Sequence, residues 1–172
     1  DFDPGSGSFP LTSAGQTDIF LSKLNSNGDF VWAKRLGGSS PDNGSGIAVD
    51  SVGNVYTTGG FVSTDADFDP GSGNFTLVSA GNSDVFVSKL DSAGNFVWAK
   101  RLGGSEVDSG NEIALDGAGN VHTTGRFNGT ADFDPSVSNS SNLVNPGGQG
   151  WPDTFVSKLD NGGNFIWAKQ LG

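Results

Sequence analysis

Apolar residues recur along this chain in short bursts, without the three-to-four spacing of a helix. Asp84-Val85-Phe86-Val87-Ser88-Lys89-Leu90 and Phe96-Val97-Trp98-Ala99-Lys100-Arg101-Leu102-Gly103 are two such bursts. Each has the length of a strand. The link between them holds Gly94-Asn95, residue types that tolerate the positive φ of a tight hairpin. The same hairpin is written at 18–37 and again at 153–172. Two shorter bursts separate the first copy from the second: Gly46-Ile47-Ala48-Val49-Asp50 and Val55-Tyr56-Thr57-Thr58-Gly59-Gly60-Phe61, joined across Gly53-Asn54. Their copies are Glu112-Ile113-Ala114-Leu115-Asp116 and Val121-His122-Thr123-Thr124-Gly125-Arg126-Phe127.

The landmark Asp1-Phe2-Asp3-Pro4-Gly5 returns at Asp67 after 66 residues and, as Asp132-Phe133-Asp134-Pro135-Ser136, after a further 65. Four short strands and one long loop per fixed period predict an all-β chain of β-propeller blades, each of four antiparallel strands. At about 66 residues per blade the chain holds about 2.5 blades. The small-residue Ile-Ala-Val strand suits the crowded axis and is expected innermost. The Val55, Asp84 and Phe96 strands then follow outward. In that phase 1–38 is the outer half of one blade, and 39–104 and 105–172 are complete blades. Phe30 with Trp32, Phe96 with Trp98 and Phe165 with Trp167 place bulk on one blade face. Ala33, Ala99 and Ala168 lie on the other, where the next blade's bulk is expected to fit.

Three stretches carry a family resemblance: Asp84-x-Phe86-Val87-x-Lys89-Leu90-x-x-x-Gly94, Leu102-Gly103-Gly104-Ser105, and Gly46-Ile47-Ala48-Val49-Asp50-x-x-Gly53-Asn54-Val55-Tyr56-x-Thr58-Gly59. Together they resemble the bacterial β-propeller repeat family abbreviated SBBP. The resemblance implies a secreted or cell-surface bacterial protein and no single activity. The Asp-Phe-Asp-Pro-Gly loop is an elaboration on the family pattern. Fewer than three units are present, whereas a ring needs at least about four blades. Further blades of the same protein, or other copies of this chain, are the expected partners. The opening in mid-repeat reads as a mature product or as a window on a longer protein.

Charge narrows the function classes. The formal net charge is -10 and the pI about 4.2, which argues against nucleic acid, whose phosphates call for Lys and Arg. There is no Cys, so disulfides, thiol catalysis and thiolate metal sites are absent. No run of about 18 apolar residues could span a membrane as a helix.

Carboxylates at alternate positions raise one metal candidate. Asp65-Ala66-Asp67-Phe68-Asp69-Pro70-Gly71 could turn several oxygens onto one Ca²⁺, an ion that takes roughly six to eight of them. Integrin-type propellers carry similar Asp-x-Asp-x-Asp calcium loops, so the resemblance has a context. Asp1 and Asp3 repeat the pattern, as do Asp132 and Asp134. In the third copy Thr130 replaces the leading Asp and Ser136 the Gly. The competing reading is structural, with Asp capping turns through its own backbone. Asp18, Asp84 and Asp153 open the same strand in every unit. They are expected to hydrogen-bond a neighbouring blade, with completion of a cation site as the alternative.

Other chemistry is sparse. His122 is the only His, stands where the previous unit has Tyr56, and is read as a packing residue. One His and no Cys leave no nucleophilic triad and no His-based metal site. A paired-carboxylate hydrolase stays open, although no Asp pair stands above the repeat background. The recurring Trp32, Trp98 and Trp167 read as core. Trp151, in the insertion at 145–152, reads as a contact residue. Asn43, Asn74, Asn128 and Asn139 begin Asn-x-Ser/Thr sequons in expected loops. The expected function is a non-enzymatic structural or adhesive scaffold, extracellular or on the bacterial surface and stabilised by Ca²⁺. The alternatives are a self-assembling surface-layer or filament subunit, and a carbohydrate-binding or hydrolytic propeller with surface glycans as partner.

Overall fold

In a computed structural model, which describes residues 1–146 and 151–172, all regular structure among the described residues is strand. The first unit is the hairpin β1 (Ile19–Leu24) and β2 (Phe30–Leu36). The second runs β3 (Asp42–Val49), β4 (Val55–Phe61), the short β5 (Ala66–Asp67) and β6 (Thr76–Leu77), then β7 (Asp84–Leu90) and β8 (Phe96–Gly104). The third repeats this as β9 (Ser109–Leu115), β10 (Val121–Phe127), β11 (Thr130–Asp132), β12 (Asn142–Val144), β13 (Asp153–Leu159) and β14 (Phe165–Leu171).

Pairing follows the expected order. The strands β3-β4-β7-β8 are hydrogen-bonded neighbours in that sequence, as are β9-β10-β13-β14, and every named pairing is antiparallel. β3 and β9 end their sheets and meet each other. A Cβ on Gly46 would stand 3.1 Å from the Glu112 Cα, so a larger side chain does not fit at that point of the contact.

Two features differ from expectation. The Asp-Phe-Asp-Pro loop is not only a loop. β5 pairs with β6 and β11 with β12, and β11 also adds to the outer edge of β8 at Gly103 and Gly104, giving a six-stranded sheet. In the first unit the same contact is a bridge, Gly37 with Asp67, closed by hydrogen bonds of 3.0 and 3.1 Å. Each loop thus satisfies backbone groups that the preceding unit's outer strand leaves open at its edge. The small Ala residues also face the other way. Ala99 belongs to the core cluster holding Trp32, and Ala168 to the cluster holding Trp98. Each Ala therefore accommodates bulk from the preceding unit, not the next.

Candidate functional site

The units meet at a repeated seam. Where β7 turns into β8, Gly94 has φ +80, and a Cβ there would lie 3.2 Å from the Trp32 ring of the unit before. At the next seam the equivalent Cβ on Gly163 would lie 3.0 Å from the Trp98 ring. The turns also offer carbonyls to those indoles: Trp32 Nε1 donates to Ser92 O at 3.3 Å and Trp98 Nε1 to Asn161 O at 3.0 Å. Lys23 Nζ donates to Ser92 O at 2.7 Å, and Lys89 Nζ donates to Asn161 Oδ1. Each Trp is thus a socket and each Gly turn the knob that fills it.

In the third unit the corresponding Trp is less buried. Trp32 and Trp98 are buried, whereas Trp167 is only half-buried. Lys158, which corresponds to Lys89, turns back to Asp116 at 2.8 Å. That ammonium and the Asn120 amide hold the Asp116 carboxyl far below the usual carboxylate range. His122 packs edge-on to Trp167 with ring centroids 6.0 Å apart. It fills the place of Tyr56, whose hydroxyl reaches Asn161 across the second seam at 3.0 Å, and the His122 Nε2 lies 3.4 Å from Asp116 Oδ2.

A pair of carboxylates lies buried at each seam. Asp84 and Asp108 are both fully buried. A Cβ on Gly103 would stand 2.2 Å from Asp84 Oδ1 and 2.8 Å from Asp108 Oδ2, so only Gly lets both approach that point. Asp84 Oδ2 accepts from the Ala80 backbone and from Arg101 at 3.4 Å, while Asp84 Oδ1 has no hydrogen-bond partner. Asp108 accepts from Gly104 N at 2.7 Å and Asn128 N at 3.0 Å. Burial, with the Asp84 and Glu106 charges nearby, pushes the Asp108 carboxyl up to about 6; burial also raises that of Asp84. Asp18 and Asp42 face Gly37 in the same way, and Asp18 Oδ1 is likewise unpartnered.

The sequence marked Asp18, Asp84 and Asp153 but missed their partners Asp42 and Asp108, whose one signal was recurrence inside the polar loops. The expected hydrogen bonds to a neighbouring blade are replaced by bonds within the unit. Asp18 takes the Ala14 N–H at 2.7 Å and Arg35 at 3.1 Å, and Asp153 takes Gln170. The reason is register, which puts Arg35, Arg101 and Gln170 opposite Phe20, Phe86 and Phe155, diagonal to the carboxylates two residues earlier. Neither Asp84 nor Asp108 is open to a substrate.

The metal candidates are placed as follows. Asp67 Oδ1 accepts the N–H groups of Asp69 and Phe75, both at 2.9 Å, and Asp69 Oδ1 that of Gly71 at 2.8 Å. Asp1 Oδ1 takes Asp3 N and Phe9 N, Asp3 takes Gly5 N, Asp132 takes Asp134 N and Ser141 N, and Asp134 takes Ser136 N. Asp65 instead accepts from Ser39 N and Oγ, both at 2.9 Å. Among the described residues no group of three or more His, Cys, Asp or Glu side chains is placed to hold one metal ion.

Of the sequons, Asn43 lies on β3 and not in a loop. Asn128 is buried, its Nδ2 donating to Val107 O at 2.8 Å, which leaves no room for a glycan. Trp151 is exposed, and residues 147–150 of its insertion lie outside the described residues.

Comparison with known proteins agrees with this geometry. An uncharacterized WD repeat-containing protein of Acanthamoeba polyphaga mimivirus is 27% identical over 179 aligned positions, covering 98% of this chain and 13% of that protein. The regulatory protein FlaEY of Caulobacter vibrioides is 29% identical over 150, covering 87% of this chain and 15% of that protein. The chain therefore spans about one seventh of the length of the curated relatives it matches. The model of the SBBP β-propeller repeat matches residues 31–69 and 97–134, each match beginning in an outer strand and ending in the next Asp-Phe-Asp loop.

Proposed function

We propose that this chain is a non-catalytic scaffold segment of a longer secreted or cell-surface propeller, which works by stacking repeats and presenting their loops to other proteins. The observation that carries this reading is the Trp–Gly seam, made at both junctions between units. Lys23, Lys89 and Tyr56 are likewise engaged across the seams. In this reading the Asp-Phe-Asp-Pro loops staple each unit to the one before, and they do so without a calcium ion.

Duplicating residues 105–172 at the C-terminus tests it. Repeats coupled through nearest-neighbour seams gain stability as units are added. The longer chain is expected to melt at higher temperature, with Trp167 fluorescence shifted to the blue as its socket fills. An unchanged melting temperature would show that the units do not couple. Surface labelling of the full-length protein in its host tests the location, and a wholly cytoplasmic signal would overturn that part.

A further inference from the structure

Three lysines hold the next-to-last position of corresponding strands: Lys23 on β1, Lys89 on β7 and Lys158 on β13. Their partners differ. Lys23 Nζ meets a backbone oxygen, Ser92 O, at 2.7 Å. Lys158 Nζ pairs with Asp116 of its own unit at 2.8 Å. Lys89 Nζ instead donates to the side-chain oxygen of Asn161, in the turn of the next unit. One change in the turn accounts for this, since Asn161 stands where the preceding turn has Ser92.

Around this contact the amine is shielded and the amide is held. Lys89 is 7% exposed, and Tyr56 beneath it is fully buried. The Lys89 Nζ stands 4.9 Å from the centre of the Tyr56 ring. Among the described residues no ion pair joins Lys89 to a carboxylate. The Tyr56 hydroxyl lies 3.0 Å from Asn161 Oδ1 and 3.3 Å from Asp50 Oδ2. The Asn161 backbone carbonyl is fixed by Trp98 Nε1 at 3.0 Å. An amine and a hydroxyl thus converge on one amide oxygen, and the residue that carries it is anchored.

The geometry points to a covalent amide between Lys89 Nζ and Asn161 Cγ, formed by the protein itself across the second seam. The unprotonated amine adds to Cγ, and the carbonyl electron pair moves to Oδ1. The Tyr56 hydroxyl stabilises that oxygen as its negative charge grows. The carbonyl then re-forms and the bond from Cγ to Nδ2 breaks. Nδ2 departs as ammonia, taking one proton from the amine. One C–N bond replaces another, so no oxidant, reductant or cofactor enters. Contact between the two groups supplies the proximity, equivalent to an effective concentration of up to roughly 10⁵ M or more. Asn161 is exposed, so the ammonia has a way out. The bond joins residues 72 positions apart and fastens the second unit to the third. Neither other lysine can do this: Ser92 has no side-chain carbonyl, and Lys158 is held by Asp116.

The test is the mass of the intact, purified chain, measured after unfolding. The chain is expected to be lighter than its sequence by one ammonia. A protease digest should yield a branched peptide joining Lys89 to Asn161. That peptide is read in the wild type, so the result does not hang on how any variant folds. Lys89→Met and Asn161→Ala should each restore the full mass. Tyr56→Phe removes the hydroxyl from Asn161 Oδ1 and should slow bond formation by about a hundredfold, leaving freshly made chains unlinked. A wild type that keeps its full mass after days at mildly alkaline pH would overturn the inference. Ammonia loss that persists in Lys89→Met would do the same, since it would mean a ring closed on Asn161 by the Gly162 nitrogen. None of these outcomes depends on where the protein works or on what its loops meet.

Discussion

Trp98 Nε1 donates a 3.0 Å hydrogen bond to the carbonyl of Asn161, 63 residues further along the chain. The bond ties the outer strand of one unit to the outer turn of the next. It sits over a buried ring, so the contact joins a large apolar area to one fixed polar point.

Removing that ring should cost far more than removing its half-buried copy, Trp167. Trp98→Ala is expected to destabilise the chain by about 3–5 kcal/mol, the usual cost of truncating a buried aromatic. Trp167→Ala, at a half-buried site, should cost about 1–2 kcal/mol. Urea denaturation of both variants measures the difference, and equal losses would show that the seam contributes nothing.

Acidity should act through the buried pair. Asp108 holds its proton in the folded protein up to about 6, against 3.8 when unfolded. The folded state therefore binds more protons between those values, and the stability contributed by this group is complete below 3.8 and lost as pH rises through about 6. Over that window the loss is about 2–3 kcal/mol, at about 1.4 kcal/mol per unit. Asp108→Asn carries a permanently neutral side chain, so its stability relative to wild type should rise between pH 4 and 7. Denaturation curves of the two proteins in parallel measure this, and a constant difference across that range would refute it.

The Asp67 loop should respond to mutation and not to metal. Asp67 Oδ1 accepts two backbone N–H groups, so Asp67→Ala should cost about 1–2 kcal/mol. Asp67→Asn keeps an acceptor oxygen and should cost about half as much. Thermal melts in calcium and in EGTA should coincide. A calcium-dependent rise in the wild type that Asp67→Asn abolishes would instead make the loop a metal site.

Much of this architecture was legible because it is local. Strand length, the Gly-containing turns and the fixed period are written within each unit, and backbone pairing between adjacent hairpin strands follows from them. The place of the Ile-Ala strands at the end of each sheet was readable too, from the order of the strands within the repeat. Repetition also exposed the Asp, Trp and Gly positions that matter, although not their partners.

Only the tertiary structure decided those partners. Asp84 opens β7 and Asp108 lies just before β9, and nothing in their spacing shows that both carboxylates crowd one Gly. The facing of Ala99 toward Trp32 depends on which face of the sheet the preceding unit covers, a relation between units that no single unit encodes. Phe20 and Phe86 sit in the same local sequence, yet one is exposed and the other buried. Burial is settled by what pairs with the strand edge, and that neighbour lies outside the strand itself.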